Sequence, residues 1–258
     1  MAKQDRLSPK WGPWPAVGVE HISPILRSYG FSNVLTDFED GLFWWAKPCT
    51  ELTQLLFAIN PNTSPLQNHC RFSGGIFIES RVIPVFLETV GWDIGCAKWT
   101  EARSAYISLV YLPLAWLVRR THPASKRYFW DVDIANAALS LAAFDAELRE
   151  CVFPVLSSLT EDRSVIQFVR DIDSFSGGQR GGPPSHPSQS LQVSILYFRL
   201  GEIAQALQCL DEYSTLKSAY LHRRYVEVGD RVRLADEIVT LARNVSTVRN
   251  HFLTSLAP

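Results

Sequence analysis

Net charge is nearly absent from this sequence. Its 258 residues carry 25 Lys and Arg against 26 Asp and Glu, a formal balance of −1. A chain so balanced has no general field with which to hold a polyanion, so direct nucleic-acid binding is not expected as its main task. Long apolar runs are absent as well. The most apolar one, Ser104 to Val118, contains Pro113 and falls short of the ~20 residues a membrane span requires. Between Met1 and Val19, Lys3, Arg6 and Lys10 have no apolar core behind them, and Pro9, Pro13 and Pro15 interrupt the stretch, so no secretory signal is expected. The five cysteines, Cys49, Cys70, Cys96, Cys151 and Cys209, form no CxxC and follow no regular spacing. That reads as buried thiols in a reducing cytoplasm. Glycine and proline, at 14 and 15 residues, are too few for a collagen-like or low-complexity chain.

The common signatures of catalysis are also missing. There is no GxxxxGK[ST], no GxGxxG after a strand, no GxSxG elbow and no HExxH. Gly177-Gly178 and Gly181-Gly182 resemble a phosphate loop only superficially, because Pro183-Pro184 forbids a helix start there. His69 and Cys70 are the one adjacent pair of soft ligands, and on a strand adjacent side chains face opposite ways. His122 and Cys96 would complete a zinc set, but their scatter lacks the spacing of such sites, and no cofactor is expected. Asp131 and Asp133 flank Val132, which puts both carboxylates on one face of a strand. Asp171 and Asp173 repeat the spacing. Such pairs can hold Mg²⁺ or act as acid and base, but they more commonly serve as solvated strand ends and helix caps.

What is present is a large apolar fraction, 47%, with eight Trp and 14 Phe, enough for a full core rich in aromatic contacts. Helix signals open the chain, with Ser23 as a cap, Pro24 in the first turn and Gly30 as the stop. Strand-like runs follow. Phe31 to Phe38 and Leu42 to Ala46 flank a hairpin turn at Glu39-Asp40-Gly41. Leu52 to Ile59 ends at the turn-forming Asn60-Pro61-Asn62. Arg71 to Ile78 contains Gly74-Gly75, the mark of a bulge or a close backbone approach. Val82 to Val90 and Tyr106 to Leu112 are apolar runs that periodicity alone assigns to neither strand nor helix. Tyr128 to Val132 reads as a last short strand. Helices are expected from Ile134 to Cys151, from Pro154 to Leu159 and from Glu161 to Ile172. Ser174 to Ser190 reads SFSGGQRGGPPSHPSQS, where Ser, Gly and Pro fill 12 of 17 positions, as in a flexible linker. Beyond it, Leu191 to Leu200, Glu202 to Tyr213, Thr215 to Val226 and Arg231 to Val248 read as helices broken at Gly201 and Gly229. RLGEIAQALQCLDEY and EVGDRVRLADEIVTLAR are weakly similar, but two such phrases make a helical hairpin and not a repeat array. The expectation is an α+β fold with a mixed or antiparallel N-terminal sheet: residues 1–173 as an α+β region, 174–190 as linker, and 191–258 as a helical region packed on the first.

Charge is uneven locally. From Glu20 to Ala102 there are five basic residues against nine acidic ones, and Asp37, Glu39 and Asp40 crowd one hairpin tip beside Phe38, Trp44 and Trp45. Acidic groups around aromatic anchors suit a partner with a basic cleft, so these six residues are the expected contact set. Arg119-Arg120 and Lys126-Arg127 form a basic cluster next to Tyr128, Phe129 and Trp130, where bases could stack, although the whole-chain balance argues against that use.

The succession GFSNVLTDFEDGLFWWAKP, NHCRFSGGIFIE, YFWDVDI and RLGEIAQAL resembles bacterial α+β proteins found among the immunity proteins of polymorphic toxins and type VI secretion effectors. The resemblance implies tight binding of a cognate toxin, and occlusion of its active site, without catalysis and with no membrane or nucleic-acid partner. Lacking an export signal, the chain is expected to meet its toxin in the cytoplasm, and an acidic face suits a nuclease. Two alternatives stand beside it: a metal-assisted hydrolase using Asp131, Asp133 and His69, and a scaffold whose terminal helices bind a peptide.

Overall fold

A computed structural model describes residues 14–37, 42–62, 69–92, 107–175 and 188–255. The architecture is α+β: an antiparallel sheet of six strands with flanking helices, and a C-terminal helical region. The strands are β1 (Ser32–Asp37), β2 (Leu42–Pro48), β3 (Thr53–Asn62), β4 (His69–Ser80), β5 (Ile107–Pro113) and β6 (Trp130–Asp133). They lie in the order β1-β2-β3-β4-β5, with β6 paired to the first residues of β4. The chain divides into two compact units. One holds residues 1–78 and 110–183, the other 79–109 and 184–258, so the segment after β4 belongs with the C-terminal helices.

The first described element of this unit is one continuous helix, α1 (Trp14–Ala16) leading through a π-helical stretch (Val17–Ile22) into α2 (Ser23–Ser28). Ser23 was expected to cap a helix start, but it sits inside this longer one. Its hydroxyl donates to the Gly18 carbonyl at 3.1 Å and accepts the Trp45 indole N–H at 3.1 Å. Pro24 is tolerated there because the wider π turn precedes it, relieving the clash a proline makes with the carbonyl four residues back. The device recurs in α5 (Ala137–Glu147), which passes through a second π stretch (Leu148–Val152) into α6 (Phe153–Ser157) around Pro154. Gly30 takes φ +86°, and Phe31 N–H donates back to Leu26 at 3.1 Å, a Schellman closure that turns the chain into β1.

β1 and β2 form the expected hairpin, with Asp37 opposite Leu42 and an extra residue, Val34, between Asn33 and Leu35. The expected turn at Asn60-Pro61-Asn62 is instead the end of β3, since proline and asparagine can both hold extended backbone at a strand end. Phe43, Trp45, Phe57 and Ile59 are buried, and Trp45 lies opposite Phe57 in the register of β2 and β3. Against them stand Trp14, edge-on to Phe43 at 5.8 Å, and Phe72, 5.4 Å from Trp14. Phe72 stacks in turn on Trp130 at 5.7 Å and meets Phe144 edge-on at 5.2 Å. The Gly74-Gly75 pair of β4 is a close approach. A Cβ on Gly74 would lie 2.7 Å from the Ala58 carbonyl, and one on Gly75 would lie 2.1 Å from the Tyr111 ring. After β5 come α4 (Leu114–Thr121), β6, α5, α6 and α7 (Asp162–Phe175). The expected linker core, residues 176–187, lies outside the described residues.

In the second unit the ambiguous run after β4 is a helix, α3 (Val82–Thr89), and the C-terminal part supplies α8 (Ser188–Arg199), α9 (Ile203–Glu227) and α10 (Arg231–Thr254). The two helices expected between Glu202 and Val226 are one. No glycine or proline interrupts that stretch, and Ser214-Thr215 is too weak a break to stop it. Phe86, Phe198 and Phe252 pack together, Phe198 stacking on Phe252 at 4.5 Å. Burial beside Trp92 pushes the Tyr213 phenol up to about 12. Among the described residues no helix is long and apolar enough to cross a membrane.

Two outcomes follow from this packing. Gly74→Ala should lower stability in urea unfolding by about 1–3 kcal/mol, as overpacking does, and Tyr111→Ala should not rescue it, whereas Tyr111→Ala should partly rescue Gly75→Ala. Because the folded Tyr213 pKa is raised, its contribution is complete below the unfolded value of about 10 and is lost as pH climbs towards about 12. Tyr213→Phe should therefore flatten the alkaline limb of a stability–pH curve.

Candidate functional site

The stretch between α4 and β6, residues 122–129, has no regular structure and ends in two adjacent exposed aromatics, Tyr128 at 56% and Phe129 at 43% exposure. Each carries an arginine. The Arg119 guanidinium sits 4.7 Å from the Tyr128 ring centre, and that of Arg71, from β4, 5.7 Å from Phe129. Cation–π contacts of this exposed kind are worth about 0.5–1 kcal/mol. The stretch is fixed from below by Glu147 of α5. One carboxylate oxygen accepts the buried Trp130 indole N–H at 2.6 Å, and the other pairs with Arg127 Nε at 2.7 Å. Arg119 also donates to the Arg127 carbonyl at 3.4 Å. Strand alternation explains the division: Trp130 and Val132 point into the core, and Asp131 points out.

The three residues of the hydrolase alternative meet on the same strand pair. His69 is opposite Asp133, and Arg71 is opposite Asp131. Their carboxylates are engaged locally. Asp131 accepts two hydrogen bonds from Arg71, at 2.7 and 3.3 Å. Asp133 caps the following 3-10 turn (Ile134–Asn136), accepting from Ala135 N–H at 3.1 Å and from the Asn136 amide at 3.0 Å. The Asn136 bond, with that of Ala135 and nearby His69, holds its carboxyl below the usual aspartate range. Asp171 accepts from Gln167 one turn away. His122 lies 3.8 Å from Glu150 at the surface, and Cys96 is outside the described residues. No group of three or more His, Cys, Asp or Glu placed to hold a metal occurs among the described residues. Cys70, Cys151 and Cys209 are buried and Cys49 is half-buried, and none of the four forms a disulfide. Burial pushes the thiols of Cys49, Cys70 and Cys151 up, away from the thiolate a nucleophile needs.

Of the expected contact set, Trp44 and Trp45 are core residues, 6% and 0% exposed. Trp45 stacks on Phe43 at 5.9 Å, and Trp44 packs with Leu56 and Ala58 on the opposite face of β2. Three consecutive buried aromatics in one strand require cover on both faces, which the sequence alone does not reveal. Asp37 ends β1, opposite Leu42, while Phe38, Glu39 and Asp40 lie outside the described residues. The arginine–aromatic cluster was legible as a local basic run beside aromatics. Arg71 was not, because only the β4–β6 pairing brings it there.

Comparison with protein-family models, with curated proteins and with solved structures found no match.

Glu147 is the fixture on which this surface rests. Glu147→Ala strips a buried indole N–H and a guanidinium of their acceptor, which should cost about 1–3 kcal/mol. It should also raise amide hydrogen exchange across residues 125–130 above that of β2 and β3.

Proposed function

We propose that this chain acts by binding another protein, as an immunity protein does: it holds a cognate bacterial toxin in the cytoplasm, a nuclease in the first instance, and occludes its active site without chemistry of its own. The observation that supports this reading is the braced surface cluster of Arg71, Arg119, Tyr128 and Phe129. Isolated exposed apolar side chains need no explanation. Two adjacent aromatics, each under a guanidinium and anchored to the core through Trp130 and Glu147, are another matter. Aromatic residues and arginine are the types that concentrate binding energy at protein interfaces. A rigid platform also loses little side-chain freedom when it is covered.

The cluster accounts for burial and register. In this reading the acidic residues Asp37, Glu39 and Asp40 supply the other half, attraction towards a basic substrate cleft, and act mainly on the rate of encounter. Cytoplasmic location is part of the same proposal.

Co-expression with the toxin encoded by the neighbouring gene should give co-purification and growth rescue. Tyr128→Ala combined with Phe129→Ala should weaken binding by roughly 10- to 100-fold with little change in melting temperature, because both side chains are exposed. A chain that neither co-purifies nor protects defeats the proposal, and a double variant that binds as tightly as the parent defeats this placement of the interface.

A further inference from the structure

The first unit contains a pocket of about 400 Å³ between the end of α2, the end of β2, β3 and α6, lined in part by Tyr29, Phe31, Lys47, Cys49, Leu55 and Phe153. That volume lies within the range of about 300–1,000 Å³ typical of small-molecule sites. It would hold about a dozen waters at ~30 Å³ each, or a ligand of similar heavy-atom count. The walls are mostly hydrocarbon. Tyr29 stacks on Phe153 at 3.8 Å, Phe31 lies 6.2 Å from Phe153, and three leucines add to the lining, where the hydroxyls of Ser157 and Thr160 are the only neutral side-chain oxygens besides the Tyr29 phenol.

Within this mostly apolar lining stands one basic side chain, Lys47. Its position is built. The ammonium donates to the Tyr29 carbonyl at 2.9 Å and lies 5.9 Å from the Phe31 ring centre. The stem runs past Gly30, where a Cβ would lie 3.4 Å from the lysine Cε. One of three donors is thereby committed to the helix end, leaving two for a ligand. Tyr29 is itself held, its hydroxyl donating to Asp145 at 2.8 Å. The thiol of Cys49 donates to the Leu159 carbonyl at 3.3 Å, and burial pushes it up, so the pocket offers binding and not nucleophilic attack.

We infer that this pocket is a binding site for a small carboxylate with an apolar body: Lys47 takes the carboxylate, and the rings of Tyr29, Phe31 and Phe153 take the hydrocarbon. A charge-assisted hydrogen bond in a largely apolar setting is stronger than a neutral one, so the ligand must be an anion and not merely greasy. A cationic ligand would meet Lys47, and a polar one would leave the aromatic walls unused. The inference stands apart from the toxin-binding proposal and survives if that fails.

Titration calorimetry of the full chain with 4-phenylbutyrate, and with its amide 4-phenylbutyramide as the uncharged isostere, tests it. The carboxylate should bind with a dissociation constant below 1 mM and the amide at least tenfold more weakly. Lys47→Met, which keeps the hydrocarbon stem, should bring the two to equal affinity. Ser157→Trp, at an exposed lining position where folding is not at stake, should abolish both. Absence of saturation by the carboxylate up to 10 mM, equal binding of acid and amide to the parent, or a preference that persists in Lys47→Met would each overturn the inference.

Discussion

Two runs of aromatic side chains hold the first unit together. One begins at Trp130 and Phe144 and passes through Phe72 and Trp14 to Phe43 and Trp45; the other joins Phe57, opposite Trp45 in the register, to Phe31, Phe153 and Tyr29. Each pair adds about 0.5–1.5 kcal/mol beyond the area it buries. Removing one such ring to alanine costs about 3–5 kcal/mol, a large part of the net stability of a domain. The runs also fix geometry, because large flat rings tolerate few packings. Gly18 is one consequence: a Cβ there would meet the Phe43 ring at 2.9 Å, so the N-terminal helix reaches the sheet only because that position is bare.

The helices around this core are bent to follow it. Two helical segments of the unit run on past an internal proline, Pro24 and Pro154, and both place a π-helical stretch just before it. A π turn leaves backbone groups less regularly paired, a cost borne because it lets the helix continue past the proline. In the first, Ser23 makes use of the disturbed backbone, joining the Gly18 carbonyl to the Trp45 indole. In the second, the widened turn buries Cys151 and Val152 and carries the chain to Phe153, which closes the carboxylate pocket.

The class of the fold and most of its strands were readable from period and turn chemistry. Strand-like runs on either side of Glu39-Asp40-Gly41 marked β1 and β2, and Gly74-Gly75 announced the close approach that Tyr111 and Ala58 make. What could not be read was anything decided by partners distant in the chain. Trp44 and Trp45 look like anchors beside an acidic tip, and nothing local says that both faces of their strand are covered. Lys47 and Phe153 are more than 100 positions apart, with no motif linking them, so the pocket has no sequence signature. The π stretches escape for another reason: they are responses to proline that appear only once the surrounding packing demands a helix there.

Helix α5 gives the arrangement its economy. Asp145 and Glu147 are two residues apart, so about 200° of helical rotation separates them and they face opposite sides. Asp145 accepts the Tyr29 hydroxyl behind the pocket and is held by Arg149, while Glu147 accepts Trp130 and Arg127 beneath the exposed cluster. One rigid element thus orients both surfaces through separate carboxylates that share no hydrogen-bond partner. Changes at the two surfaces should therefore combine additively, as independent sites do, unless ligand in the pocket shifts α5 itself. Close-packed interiors transmit strain, so a measured departure from additivity would mean that ligand in the pocket moves α5, since the two carboxylates have no hydrogen-bond partner in common.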